Sequence, residues 1–218
     1  MAEFKYARMG PLAEAMVIAA PAEPMPAPAG PVFERETVLQ PLPRSGRPPG
    51  SPTVVDLDGD GAMDVFVAGS GNGAASNLVL LNRGGAWEAA SAHPLGAVTG
   101  VRAALWGDLD NDGVTDAVLL GSAGLTSIWQ QTPASAWQDV TAASKAATPG
   151  VDAVDGALFD ADHDGDLDIF LVNARGPNVL LNNNGDGTFR DIAREAGVAG
   201  DGRPSIGIAI ADLDADRD

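Results

Sequence analysis

The sequence predicts an all-β chain assembled from repeated four-stranded antiparallel sheets, and three observations predict it. The acidic motif Asp-x-Asp-x-Asp-x-x-x-Asp occurs three times and its first half a fourth time, beginning at Asp56, Asp108, Asp160 and Asp212, always 52 residues apart. Fixed spacing of that kind marks a structural repeat. Each complete copy runs into a short apolar segment bounded by Gly or Asn, Asp64-Val-Phe-Val-Ala, Asp116-Ala-Val-Leu-Leu and Asp168-Ile-Phe-Leu-Val. Such segments read as buried strands. Further strand signals then follow within each repeat, with turn residues between them.

The third repeat shows the elements in order. Gly156 to Phe159 leads into the acidic loop, Asp168 to Val172 leaves it, Asn178 to Leu181 forms a third run and Thr188 to Ile192 a fourth. Asn182-Asn-Asn-Gly-Asp-Gly187 separates the last two and is a strong hairpin signal. The aromatic opening the fourth strand lies 23 residues before the next acidic loop at Phe33, Trp137 and Phe189. Trp87 lies two residues closer, as a short deletion in a turn would leave it. The repeats therefore reach back to about Pro31. Four strands per unit with a period of roughly 40–50 residues describes a β-propeller blade. Propellers close with roughly four to eight blades, and residues 31–218 hold about three and a half. The fourth motif stops before its ninth place and carries Arg217 where glycine is expected, so the sequence predicts an incomplete propeller, truncated at its C-terminus. An open edge around Gly207-Ile-Ala-Ile-Ala211 would invite association with another chain.

Four carboxylates within nine residues repel one another, and no Lys or Arg lies inside the three complete copies. A hard divalent cation would supply the missing charge. Calcium takes six to eight oxygen ligands at roughly 2.3–2.6 Å, and alternate residues of a tight loop can turn their carboxylates to one centre. Glycine at the sixth place, Gly61, Gly113 and Gly165, permits the sharp turn. By analogy with other calcium loops, the side-chain ligands are Asp56, Asp58, Asp60 and Asp64 in the first copy, and Asp108, Asp110, Asp112 and Asp116 in the second. Asp160, Asp162, Asp164 and Asp168 serve the third, and Asp212, Asp214 and Asp216 the truncated fourth. Backbone carbonyls come from the seventh places, Ala62, Val114 and Asp166. About three calcium ions are expected.

Simple acidic turns are the alternative, since Asp and Gly are also turn residues. An EF-hand would need a Glu at the twelfth place and a following helix, where this chain has Val67, Leu119 and Leu171 within apolar runs. Magnesium demands stricter geometry and keeps its waters. With no Cys and two His, a zinc or copper site of nitrogen and sulfur ligands is disfavoured.

The Asp-x-Asp-x-Asp-Gly-x-x-Asp loop between two strands resembles the FG-GAP or VCBS repeat, a blade also found in integrin alpha chains. Leu181-Asn182-Asn183-Asn184-Gly185-Asp186-Gly187-Thr188-Phe189, with Asp191-Ile192 and Glu195-Ala196-Gly197-Val198, is similar to the bacterial branch that often ends in an ASPIC/UnbV domain. No such domain is visible in the sequence. The resemblance spans roughly Pro31 to Asp218 and implies a calcium-binding β-propeller. It implies no single activity, because such propellers serve as adhesion modules, lectins and scaffolds of some polysaccharide lyases.

Residues 1–30 read as a Pro/Ala-rich leader or linker. Lys5 and Arg8 ahead of Leu12 to Ala20 hint at a secretory signal, which Pro11 and Glu14 interrupt. No run is long enough to span a membrane. The formal charge of -17 argues against a nucleic-acid partner. Seventeen of the thirty acidic residues lie in the four motifs, so the acidity is chiefly a metal requirement. Extracellular calcium modules bind at about 0.1–1 mM, which places the chain outside the cytoplasm as a secreted, periplasmic or surface protein. His163, between two ligand Asp residues, reads as solvated, and His93 as a loop residue. Trp106, Trp129 and Trp137 could stack on sugars but read as core. No nucleophile elbow, phosphate-binding loop or zinc-hydrolase motif occurs, so the expected function is that of a non-enzymatic module binding a protein or glycan. The alternative is a non-catalytic or carbohydrate-handling part of a larger secreted enzyme, or a lectin.

Overall fold

A computed structural model describes residues 52–69, 77–121 and 124–211. Twelve strands in these segments form three four-stranded antiparallel sheets, each in simple chain order. The first sheet contains β1 (Pro52–Val55), β2 (Asp64–Val67), β3 (Leu78–Arg83) and β4 (Ala86–Ala89). The second contains β5 (Val101–Gly107), β6 (Asp116–Gly121), β7 (Ser127–Gln131) and β8 (Trp137–Asp139). The third contains β9 (Ala153–Phe159), β10 (Asp168–Asn173), β11 (Val179–Asn183) and β12 (Phe189–Asp191). The all-β, blade-like class expected from the repeat is therefore present. No α-helix occurs among the described residues; a 3-10 turn at Pro94–Ala97 links the first two sheets. Among those residues, no helix is long and apolar enough to cross a membrane.

In every sheet the acidic loop joins the first strand to the second, and the ninth-place Asp begins the second strand. Val55 pairs with Asp64, Gly107 with Asp116 and Phe159 with Asp168. Trp87, Trp137 and Phe189 all lie in or open the fourth strand. The two-residue deletion inferred at Trp87 falls in the connection to the next sheet. That connection is Ala90–Gly100 after β4 but Val140–Asp152 after β8.

The second strands turn apolar after their first Asp; β6 and β10 are buried on both faces, and β2 is buried except at the half-buried Val65. Alternate residues of β6 feed two cores. Ala117 and Leu119 join Phe66, Ala68 and Val79 of the first sheet, while Val118 and Leu120 join Ile169, Leu171 and Leu181 of the third. A strand's side chains alternate between faces, so one continuous run glues three sheets together. Trp106, Trp129 and Trp137 flank the first of these cores, and Phe66 packs edge-on against Trp106 with ring centroids 5.4 Å apart. The core reading of these tryptophans holds. On the far side of the third sheet, Phe170, Val172 and Leu180 form a smaller cluster that includes Ile208.

One expectation needs correction. Residues 204–211 form no strand, because no second strand lies beside them among the described residues. Their amides find other acceptors: Ser205 N–H donates to Asn173 O at 3.2 Å, and Ile208 N–H to Asp155 Oδ2 at 3.1 Å. Phe33, residues 1–30 and the fourth motif with Asp212, Asp214 and Asp216 lie outside the described residues.

Glycine at position 156 marks how closely the sheets approach. A Cβ there would sit 2.7 Å from Phe170 O and 3.2 Å from Leu105 Cδ1 of the neighbouring sheet. Neither backbone nor core can yield without cost. Gly156→Ala is expected to destabilise the fold by about 2 kcal/mol, the middle of the overpacking range. Urea unfolding would show this as a lower midpoint with an unchanged slope.

Candidate metal centres

Each acidic loop is a turn stabilised by its own carboxylates. The first-place Asp caps the loop's amides: Asp56 accepts from Gly59 N–H (2.7 Å) and Gly61 N–H (2.8 Å). Asp108 accepts from Asp112 and Gly113 (3.1 and 2.9 Å), and Asp160 from Asp164 and Gly165 (3.1 and 3.0 Å). The loop also needs left-handed backbone at two places. The sixth-place glycines Gly61, Gly113 and Gly165 have φ of 84°, 84° and 95°, as anticipated from their type. The fourth places, Gly59, Asn111 and His163, are left-handed too, at 72°, 59° and 62°. This requirement was not foreseen, because only one of the three is glycine. His163 is exposed at that corner, as expected.

The ninth-place Asp anchors the loop to the sheet. Asp64, Asp116 and Asp168 are fully buried, at 0% exposure. One oxygen of each accepts from the second-place amide: Leu57 at 2.8 Å, Leu109 at 2.9 Å and Ala161 at 2.8 Å. The other accepts from the third strand: Asn82 at 2.7 Å, Gln131 at 3.0 Å and Asn183 at 2.7 Å. Even so, desolvation dominates and raises all three carboxyls above their ordinary range. Asp116 is pushed up to about 6. These carboxylates lack a counter-charge, and a bound cation would provide it.

First, third and ninth places converge. Asp56, Asp58 and Asp64, then Asp108, Asp110 and Asp116, then Asp160, Asp162 and Asp168, each bring one carboxylate oxygen within 4.8 Å of the others. Asp58 Oδ1 in the first group is buried with no hydrogen-bond donor, as an oxygen awaiting a cation would be. The donor set is all oxygen, which suits a hard ion. Asp60, Asp112 and Asp164 lie outside these groupings. Each instead accepts the seventh-place amide, from Ala62 (2.8 Å), Val114 (2.8 Å) and Asp166 (2.9 Å).

The third-place carboxylates reveal a difference between the loops. Gln130 Nε2 donates to Asp110 Oδ2 at 2.9 Å and Asn182 Nδ2 to Asp162 Oδ2 at 2.8 Å. Leu81 holds the corresponding place in the first sheet and cannot donate. There Arg83, two residues further on, binds Asp58 Oδ2 and approaches Asp60 Oδ2 at 3.4 Å. The first loop thus has a positive neighbour that its nine residues do not contain. His93, read as a loop residue, caps the 3-10 turn, lies tilted against Trp137 with ring centroids 6.0 Å apart, and is held below its ordinary range chiefly by burial. The signal for Gln130, Asn182 and Arg83 lay at the end of the third strand; in the sequence Asn182 reads as a hairpin residue, and Gln130 and Arg83 carry no assigned role.

A stretch of 49 residues is 49% identical to cartilage acidic protein 1 of Homo sapiens, covering 22% of this chain and 7% of that protein. The Xenopus tropicalis protein matches at 49% and the Mus musculus protein at 47%, each over 22% of this chain and 8% of its own length. The matched part therefore spans less than a tenth of these curated relatives. The family model of the FG-GAP-like repeat matches residues 56–119 and 160–218, which include the acidic loops that begin at Asp56, Asp108 and Asp160. With more than half of its length matched, the chain belongs to the FG-GAP-like repeat family.

Proposed function

We propose that this chain is a calcium-loaded repeat module that works outside the cytoplasm by binding a protein or glycan, without catalysis of its own. The observation that carries the reading is the convergence of three carboxylates in each of three equivalent loops, with the ninth-place Asp fully buried. Calcium, when bound, would supply the charge that offsets these groups and ties the loop to the second and third strands. Asp56, Asp58 and Asp64 would hold it in the first loop, Asp108, Asp110 and Asp116 in the second, and Asp160, Asp162 and Asp168 in the third. Three such ions would bring the formal charge from -17 to about -11. The affinity range of extracellular calcium modules supports the compartment. Likeness of the residues 181–198 to ASPIC/UnbV-associated proteins supports a bacterial setting. A lectin or the non-catalytic part of a secreted enzyme is the second reading; the packing of the half-buried Trp106, Trp129 and Trp137 against the core weighs against sugar stacking by those residues.

Calorimetric titration should show three calcium ions per chain from the described loops. With dissociation constants near 0.1 mM and 1 mM calcium, each contributes about 1.4 kcal/mol and the three together about 4 kcal/mol. A chelator should lower the melting temperature markedly, and Asp110→Ala or Asp162→Ala should remove one ion each. An unchanged melting curve after chelation would overturn the structural role.

Protons compete with the cation for Asp116. Its carboxyl, at about 6 in the metal-free protein, is ionised at pH 7.5 and roughly nine-tenths protonated at pH 5. Binding needs the ionised form, so affinity at the second loop should fall about tenfold between these pH values. Titrations at both pH values check the sign and size.

Arg83 opposes the cation in the first loop. Arg83→Gln would leave a neutral donor of the kind the other loops use, and should tighten that site by up to about fivefold, the upper end for an exposed ion pair. Site-resolved calcium titration should show the largest shift at the first loop.

A further inference from the structure

We infer that Gln131 and Asn183 are positioning residues that couple the second and third acidic loops to the loop of the preceding sheet, so that a cation in one favours a cation in the next. The inference rests on the calcium reading above. Both residues end the third strand of their sheet, both are 2% exposed, and both make the same two connections. Asn183 N–H donates to Asp168 Oδ1 of its own loop at 2.7 Å, while its Nδ2 donates to Leu109 O of the preceding loop at 2.8 Å and, less closely, to Leu167 O of its own loop at 3.3 Å. Gln131 N–H donates to Asp116 Oδ1 at 3.0 Å, while its Nε2 donates to Leu57 O at 3.2 Å. Leu57 and Leu109 are second-place residues, flanked on both sides by candidate ligands.

The consequence follows from burial. A buried amide donor has no water to turn to, so losing its acceptor is costly and it follows the acceptor when that moves. Drawing Asp108 and Asp110 together fixes the Leu109 peptide between them. That fixes the Asn183 side chain, and with it the N–H that aims Asp168 into the third loop. Ordering done by one cation need not be repeated for the next, which is positive coupling. The pairs differ in reinforcement. Trp137 Nε1 also donates to Leu57 O at 2.9 Å, and its counterpart in the third sheet, Phe189, has no such donor. Between the second and third loops the additional link is exposed, Asn111 Nδ2 to Asp166 Oδ1 at 2.5 Å. Asn183 is therefore the cleaner residue to test.

The sixth-place glycine amides report each loop separately, since Gly113 N–H bonds Asp108 and Gly165 N–H bonds Asp160. In calcium titrations of the whole chain followed by amide NMR, Asp110→Asn should weaken the third loop, read at Gly165, by roughly fivefold, the lower end of ordinary coupling. In an Asn183→Leu background the same change at Asp110 should leave Gly165 unmoved, and Asn183→Gln, the residue type of the second sheet, should restore the dependence. Reciprocity requires Asp162→Asn to weaken the second loop, read at Gly113, by the same factor; this measurement stands even where Asn183→Leu does not fold. Equal midpoints at Gly165 with and without Asp110→Asn would overturn the coupling while leaving calcium binding intact, as would a dependence that survives Asn183→Leu. Absence of any calcium-dependent shift at both glycines in the native chain would refute the calcium reading and this inference with it.

Discussion

The buried carboxylate at the ninth place of each acidic loop is the constraint on which the structure depends. Asp64, Asp116 and Asp168 stand where three parts of a sheet meet: the loop, the first residue of the second strand and the end of the third strand. Two backbone N–H groups converge on each side chain. Those bonds lower the cost of burying the ion but do not cancel it, as the raised carboxyls show. A loop closed by such a group is competent in geometry and deficient in charge. The same feature ties each loop to its sheet and leaves a charge that a cation could offset, so fold and candidate metal site are one construction.

Much of this was legible because the repeat exposes it. The period placed the loops, and the apolar runs after Asp64, Asp116 and Asp168 placed the second strands, because strands buried on both faces read as uninterrupted hydrophobics. The aromatics at 87, 137 and 189 placed the fourth strands. What stayed hidden was long-range and polar. Arg83 meets Asp58 across 25 residues, and Asn183 reaches Leu109 across 74. Nothing local to Asn182-Asn183-Asn184 separates a turn former from a donor to a neighbouring sheet, since asparagine serves both roles. The missing strand at Gly207–Ala211 is a different kind of miss: its residues have strand character, but a strand is defined by its partner, and none is described.

Divergence among the three loops follows from the end of the third strand. Side chains on a strand alternate between faces, so positions two apart share one. Gln130 and Asn182 reach the third-place carboxylate from the face that Leu81 occupies in the first sheet. Leu81 instead joins the apolar core there, and the carboxylate finds its donor two residues later, in Arg83. An apolar gain in the core thus moves the polar contact along the strand and changes it from a neutral amide to a full charge. The acidic motif itself records nothing of this, for all three copies keep their aspartates.

The residue between these positions carries the longer consequence. Asn82, Gln131 and Asn183 each give a backbone N–H to the ninth-place carboxylate, and that bond fixes where the side chain begins. In the second and third sheets it begins within reach of the preceding loop, where a buried carbonyl accepts it. The apolar contacts of β6 with both neighbours hold the sheets at that distance, so the polar link needs no adjustment of its own. Core packing and loop chemistry therefore reinforce each other: the sheets stack closely enough for one amide to serve two loops, and each loop, once ordered, holds the amide that orders the next.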